Sequence, residues 1–351
     1  MTQRHLTFIV GTGRCGSTAL SHVLSLHPDV LSLSELFTSM DGIPELLRHE
    51  PQSGQQFWAH LTAPNPHTDR LIRSGITPPE LLYIRTPGRR YAAETTGIPA
   101  LAQTVLPHLT DDPDTLMDLL EPQVTAWPVR RPRDHWAALF RILGEQHGDP
   151  RVVVERSGLS LSRIPALHRL FPRARFIHLH RNGPDCALSM SRHPAFRLNL
   201  LLTREARRLG LTSLHELGPE HTARLPPGLA PLLHKRFDPA LLMEHPIPLP
   251  HFGHLWTYLV LCGLRHLAAL STAPHLSLSY ESLILAPRTE LTRIAEFAGF
   301  EPSPAWLTTA TGHFEGTHRL HPARDLPPDS LAALRDACAP GTRALASQHD
   351  R

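Results

Sequence analysis

Cysteine is scarce in this 351-residue chain. The four are Cys15, Cys186, Cys262 and Cys338, and none forms a C-x-x-C pair, which argues against both a disulfide framework and a cysteine zinc site. A reduced, cytoplasmic setting is expected. Charge of one sign is lacking too. The 35 Lys and Arg stand against 32 Asp and Glu, a net +3, too small an excess to point to a nucleic-acid partner. Long apolar runs are missing. The stretch nearest to a membrane span, Trp256 to Leu270, holds Arg265 and His266 and reads as an amphipathic core helix, so no span is expected. The run Leu6 to Val10 before the first glycines is too short for a signal-peptide core. No internal repeat is visible. The hydrophobic content of 41% is enough to fill a core and argues against wholesale disorder. Proline and histidine, at 35 and 25, are so abundant that no single one of either is informative.

The order of elements is regular at three places. Leu6 to Val10 is a short β-branched run that reads as a buried parallel strand. Helical spacing follows over Ser17 to Leu26, with a second strand over Val30 to Leu33, which together make a βαβ unit. Strands are expected again at 151–155, 175–180 and 275–279, with helices at about 160–170, 184–192, 252–270 and 288–298. The last fifty residues read as loop with one helix near Ser330 to Ala337. Between these regions the pattern loosens into Pro-rich stretches with helical pieces. The expectation is one domain over 1–351, an α/β open parallel sheet in three layers with helices on both faces. Its scaffold covers about 5–35, 150–192 and 275–300, with helical insertions over about 41–150 and 195–255 shaping a second binding site.

Two constellations carry chemistry. Gly11-Thr-Gly-Arg-Cys-Gly-Ser-Thr18 lies between a strand and a helix, where backbone N–H groups and the helix N-terminus surround one point suited to an anion. Its glycines match the Walker pattern, but Ser17 stands in the lysine slot. That disfavours hydrolysis of a nucleoside triphosphate, and Arg14 supplies the cation instead. In the second, a strand ends at Arg181 and a helix begins near Pro184, with Ser189 eight residues after Arg181. A basic strand end and a hydroxyl on the next helix are suited to clamp one phosphate.

Taken together, these segments resemble sulfotransferases that use 3′-phosphoadenosine-5′-phosphosulfate (PAPS), a fold similar to that of P-loop NTPases. The resemblance implies PAPS as donor, PAP as product and no metal. It implies that Arg14 contacts the 5′-phosphosulfate together with Ser17, Thr18 and the amides of Gly13, Cys15 and Gly16, and that Arg181 and Ser189 bind the 3′-phosphate. The segment from Ser279 through Tyr280 and Pro287 to Phe297-Ala-Gly-Phe resembles another family segment and would put Tyr280 near the adenine. Arg156 stands where many members carry a lysine beside the transferring group. A glycine-rich cofactor loop has a weak counterpart around Gly312 to Arg319.

An acceptor hydroxyl needs a base. Glu35, just past the second strand at the edge shared with the phosphate loop, is the choice, with Arg14 as the other catalytic group. His178 and His180, on one face of their strand, and His193 are rivals. His251 and His254, three residues apart, have no matching ligand cluster. Cys15, inside an anion-binding loop, is expected to favour a thiolate. The function read from the sequence is therefore in-line sulfonate transfer to a small-molecule or carbohydrate hydroxyl. A nucleotide kinase or NTPase, and an inert PAP-binding protein of the same fold, stay open as alternatives.

Overall fold

A computed structural model describes residues 5–40, 50–270, 273–314 and 320–349. Five strands form one parallel sheet: β1 (His5–Val10), β2 (Val30–Ser34), β3 (Val152–Arg156), β4 (Arg175–His180) and β5 (His275–Ser279), in the order β2-β3-β1-β4-β5. Ile9 and Ser34 both pair with Arg156, and His180 pairs with Ser279, so the strands end along one edge. Every loop discussed below leaves from that edge, where open α/β sheets bind their ligands.

The strands are buried on both faces, as parallel strands are when helices cover them. Alternate residues serve two cores. Phe8, Val10, Leu31, Leu33, Val153 and Phe176 face one. Ile9, Val30, Val152, Val154, Ile177 and Leu179 face the other, against Leu20, Val23 and Leu24 of helix α1 (Ser17–Ser25). The helix Pro287–Ala298 packs on that second face through Leu291, Ile294, Ala295 and Ala298. The helices Pro132–Glu145 and Leu249–Ala268 cover the first. Of the two edge strands, β2 is buried throughout, whereas in β5 only Leu278 is fully buried.

The segments 71–76 and 198–242 share a third apolar cluster, including Leu71, Ile76, Leu198, Leu202, Leu232 and Phe237. The two insertions thus pack on each other. Two expectations need correction. The helix expected at 160–170 starts as a 3-10 turn, Ser160–Arg163, before the α-helix Ile164–Leu170. The C-terminal region contains two helices, Pro304–Gly312 and the 22-residue Pro328–His349. The latter runs through Pro340, which lies exposed, while Leu334, Ala337, Cys338 and Leu345 make its buried stripe. A proline on the solvent side leaves its freed carbonyl to water, so the apolar stripe outweighs the break. Among the described residues no helix is long and apolar enough to cross a membrane.

One buried acid sits at the sheet edge. Glu155 on β3 accepts from Ser157 Oγ at 2.5 Å, and Ser157 Oγ in turn accepts from the N–H groups of Phe37 and Thr38 at 3.0 and 3.2 Å. Burial, with some repulsion from Glu35, pushes the Glu155 carboxyl up to about 7. A raised acid stabilises the fold most at low pH, and that contribution is lost as pH rises through the folded value. A shift of this size is worth at most about 3 kcal/mol. Glu155→Gln keeps an acceptor for Ser157 and never ionises. Its melting temperature should therefore gain on the parent's by a few degrees between pH 5 and pH 8. Melting curves that stay parallel across that range would rule this out.

Candidate functional site

The loop after β1 is held in an unusual backbone. Gly13, Arg14 and Gly16 have φ of 73°, 57° and 90°, the left-handed region that turns successive N–H groups toward one point. Two glycines are required by close approach as well as by φ. A Cβ on Gly16 would stand 2.0 Å from the Tyr280 ring, and one on Gly13 would stand 2.6 Å from Phe196. Gly16 gives α1 no side-chain cap, so the start of that helix keeps donors for an anion. Ser17 is the first, buried residue of α1, and Thr18 next to it is exposed.

Cys15 points the other way. Its side chain lies under Gly11 in the second core, fully buried, and burial pushes its thiol up. The expected reactive thiolate is therefore corrected: the cysteine side chain points into the core, where Ser17 hydrogen-bonds to its sulfur. Cys186 is likewise buried, pushed by burial up to about 12, and donates to Gly13 O at 3.2 Å.

The second constellation meets the first. Arg181, directly after β4, donates to Arg14 O at 3.4 Å and lies over the Tyr280 ring at 4.9 Å. Its Nε is buried without a hydrogen-bond partner, a donor that a bound anion would satisfy. Asn182 caps the helix Gly183–Ser191 through Asp185 N, and its own N–H donates to Glu281 at 2.9 Å. Asp185 accepts from Ala323 N at 2.9 Å and His321 Nδ1 at 3.1 Å, tying a C-terminal segment to this helix. Ser189 Oγ accepts from Arg14 Nε at 3.2 Å. Arg14, Gly16, Arg181, Ser189 and Tyr280 thus converge. Of the glycine-rich counterpart at 312–319, residues 315–319 lie outside the described residues.

Glu35 sits at the end of β2 with φ 57°. Its side chain is buried. One carboxylate oxygen accepts from Arg156 Nη1 and the other from Gly158 N at 2.8 Å. Arg156 Nη2 donates to Ser34 Oγ at 2.6 Å, and its Nε is buried without a partner. Arg156 also lines a cavity of about 500 Å³ between α1 and β2, together with Thr18, Ser21, Ser32, His108 and His313. Burial and the charge of Arg156 push His108 down. The rival histidines are dispersed. His178 is buried on the sheet with both ring nitrogens unpartnered, and burial lowers it to about 3. His180 is its buried neighbour, 5.4 Å away between ring centroids. His193 instead faces Glu80, Nε2 to Oε2 at 3.3 Å.

Glu80 is the residue that the sequence did not reveal. It lies in the first insertion and accepts from Arg14 Nη1 at 3.0 Å. No motif surrounds it, and only the pairing of two chain-distant segments brings it to the loop. Among the described residues no group of three or more His, Cys, Asp and Glu side chains is placed to hold a metal ion.

No curated protein matches this sequence. Solved structures similar to it include the sulfotransferase domain from the curacin biosynthetic pathway, 16% identical over 88% of this chain and 78% of that one, with a TM-score of 0.44. The sulfotransferase domain of the Synechococcus PCC 7002 olefin synthase is 17% identical over 97% and 96%, with a TM-score of 0.40. Retinol dehydratase in complex with androsterone and the inactive cofactor PAP is 14% identical over 96% and 80%, with a TM-score of 0.36. The sulfotransferase family model matches residues 7–220. That match spans more than half of the 351 residues, and the chain belongs to the sulfotransferase family.

Proposed function

We propose that this protein transfers a sulfonate from PAPS to a hydroxyl of a small-molecule or carbohydrate acceptor. The observation that carries the reading is the convergence of Arg14, Arg181, Ser189 and Tyr280 around a loop held in left-handed backbone. Such a site fits a donor with anionic groups at two positions. The Gly13–Thr18 backbone, Ser17, Thr18 and Arg14 would hold the 5′-phosphosulfate. Arg181, with an unpartnered buried Nε, and Ser189 would hold the 3′-phosphate, and Tyr280 would lie by the adenine. When bound, the donor supplies the sulfonate and a phosphate leaving group. The chain's own work is to position, neutralise and move one proton.

Glu35 is the proposed base. Both its oxygens already accept one hydrogen bond, and each retains a second lone pair for the acceptor's proton. Arg156 holds the carboxylate and lines the neighbouring cavity, which we assign to the acceptor. Its volume suits a small ligand, and its accessible lining is mostly apolar with hydroxyl and imidazole groups among it.

Two outcomes test this reading. Loss of a charge-assisted phosphate contact costs about 1.5–3 kcal/mol. Arg181→Ala should weaken PAP binding at least roughly tenfold and leave AMP nearly unchanged, and an equal loss for both in calorimetry would refute the 3′-phosphate role. Glu35→Gln should lower turnover by roughly 10²–10⁴-fold with PAP affinity within a few-fold of the parent. The same change leaves Arg156 buried without its counter-charge and lowers stability, so rates belong well below the variant's melting temperature. Near-normal turnover would move the base to His193, His178 or His180.

A further inference from the structure

Arg14 has left-handed backbone and a long side chain on the rim of the loop, about 29% exposed. An arginine in such a place loses considerable rotamer freedom when it is fixed in one direction. Here two contacts fix it: Nε on Ser189 and Nη1 on Glu80. Glu80 is itself held firmly. Pro78 and Pro79 precede it, Leu81 N donates to Pro78 O at 3.1 Å, and the flanking Leu81 and Tyr83 are buried. His193 takes its other oxygen. The His193 ring stands edge-on to Phe196 at 5.5 Å, and Phe196 abuts Gly13. The contacts therefore close a ring from Gly13 through Phe196, His193 and Glu80 back to Arg14. Burial acts to raise the Glu80 carboxyl, but the His193 hydrogen bond and charge, with Arg14, outweigh it and hold the group at about 2.

We propose that Glu80 is a positioning residue of the donor site, which fixes the Arg14 guanidinium so that its three remaining N–H donors face the transferring group. Glu80 touches no reacting atom in this account. A guanidinium has five N–H donors, and the two spent on Ser189 and Glu80 set the direction of the others. The insertion thereby reaches back and aims a residue of the scaffold loop. A carboxylate near a polyanionic donor does nothing for affinity. Its effect belongs in the rate, where orientation acts. The inference rests on the donor reading above for its catalytic part and on geometry alone for the fixing of Arg14.

The test has two arms. In the first, NMR of ¹⁵N-arginine protein without ligand follows the Arg14 Nε–H signal, assigned by its loss in Arg14→Ala. The signal should be sharp and slow to exchange in the parent and in Glu80→Gln, which keeps an acceptor for Arg14, and should broaden or vanish in Glu80→Ala. In the second, PAP formation from PAPS in a single turnover with water as the acceptor, which yields sulfate and a proton, should fall roughly 10- to 100-fold in Glu80→Ala, with PAP affinity unchanged or tighter, and Glu80→Gln should recover most of the rate. In an Arg14→Ala background, Glu80→Ala should cost nothing more. An Arg14 signal that Glu80→Ala leaves sharp overturns the proposal. So does a Glu80→Ala penalty of the same size with or without Arg14, or a Glu80→Gln as slow as Glu80→Ala. A parent that keeps the Glu80-dependent signal yet binds no PAP would sink the donor reading and leave the fixing of Arg14 standing.

Discussion

The site depends on the close approach of Tyr280 to Gly16. The ring occupies the space a side chain at position 16 would need, so the loop after β1 must keep its left-handed backbone. That one contact joins β1 to the end of β5, and Arg181 over the same ring joins β4 to both. The neighbouring Glu281 takes the N–H of Asn182, so the strand ends brace each other. A packed aromatic and a few hydrogen bonds thus turn three separate segments of sequence into one braced rim, the proposed anion site.

Around that rim, charge is arranged in pairs. Arg156 meets Glu35, and Arg14 meets Glu80. The first pair is nearly closed to water, with Arg156 about 2% exposed. Removing either member would leave a buried charge uncompensated, which is costly. The second pair is partly open to solvent, and Arg14 keeps donors to spare. Arg181 has no carboxylate partner among the ion pairs of the described residues. The arrangement runs from a locked pair beside the cavity to cations with N–H donors to spare at the loop, a polarity that suits the proposed donor with two anionic ends.

Much of this was legible in the chain. β1 and β3 fall on short apolar runs, because parallel strands covered on both faces are short, continuous and β-branched. The loop and the Arg181–Ser189 segment were visible because each places its chemistry within a few residues. What failed did so for physical reasons. A thiolate at Cys15 follows from position in the loop, but side-chain direction decides, and that direction is inward. The helix Pro328–His349 hides behind Pro340, whose cost depends on which side of the helix it lies. Glu80 and the Arg156 pairing of Glu35 were out of reach, since each joins residues more than sixty positions apart. The insertions carry no local motif, and only their shared cluster brings Glu80 to the loop.

We propose that the rim of Arg14, Arg181, Ser189 and Tyr280 is built for a 3′-phosphorylated donor. A thermal-shift comparison of PAP with ATP and magnesium tests it most directly. A ligand at a hundred times its dissociation constant adds about 2.7 kcal/mol to stability. PAP should raise the melting temperature by several degrees while ATP at the same concentration leaves it almost unmoved. Equal stabilisation by ATP, or none by PAP, would contradict it.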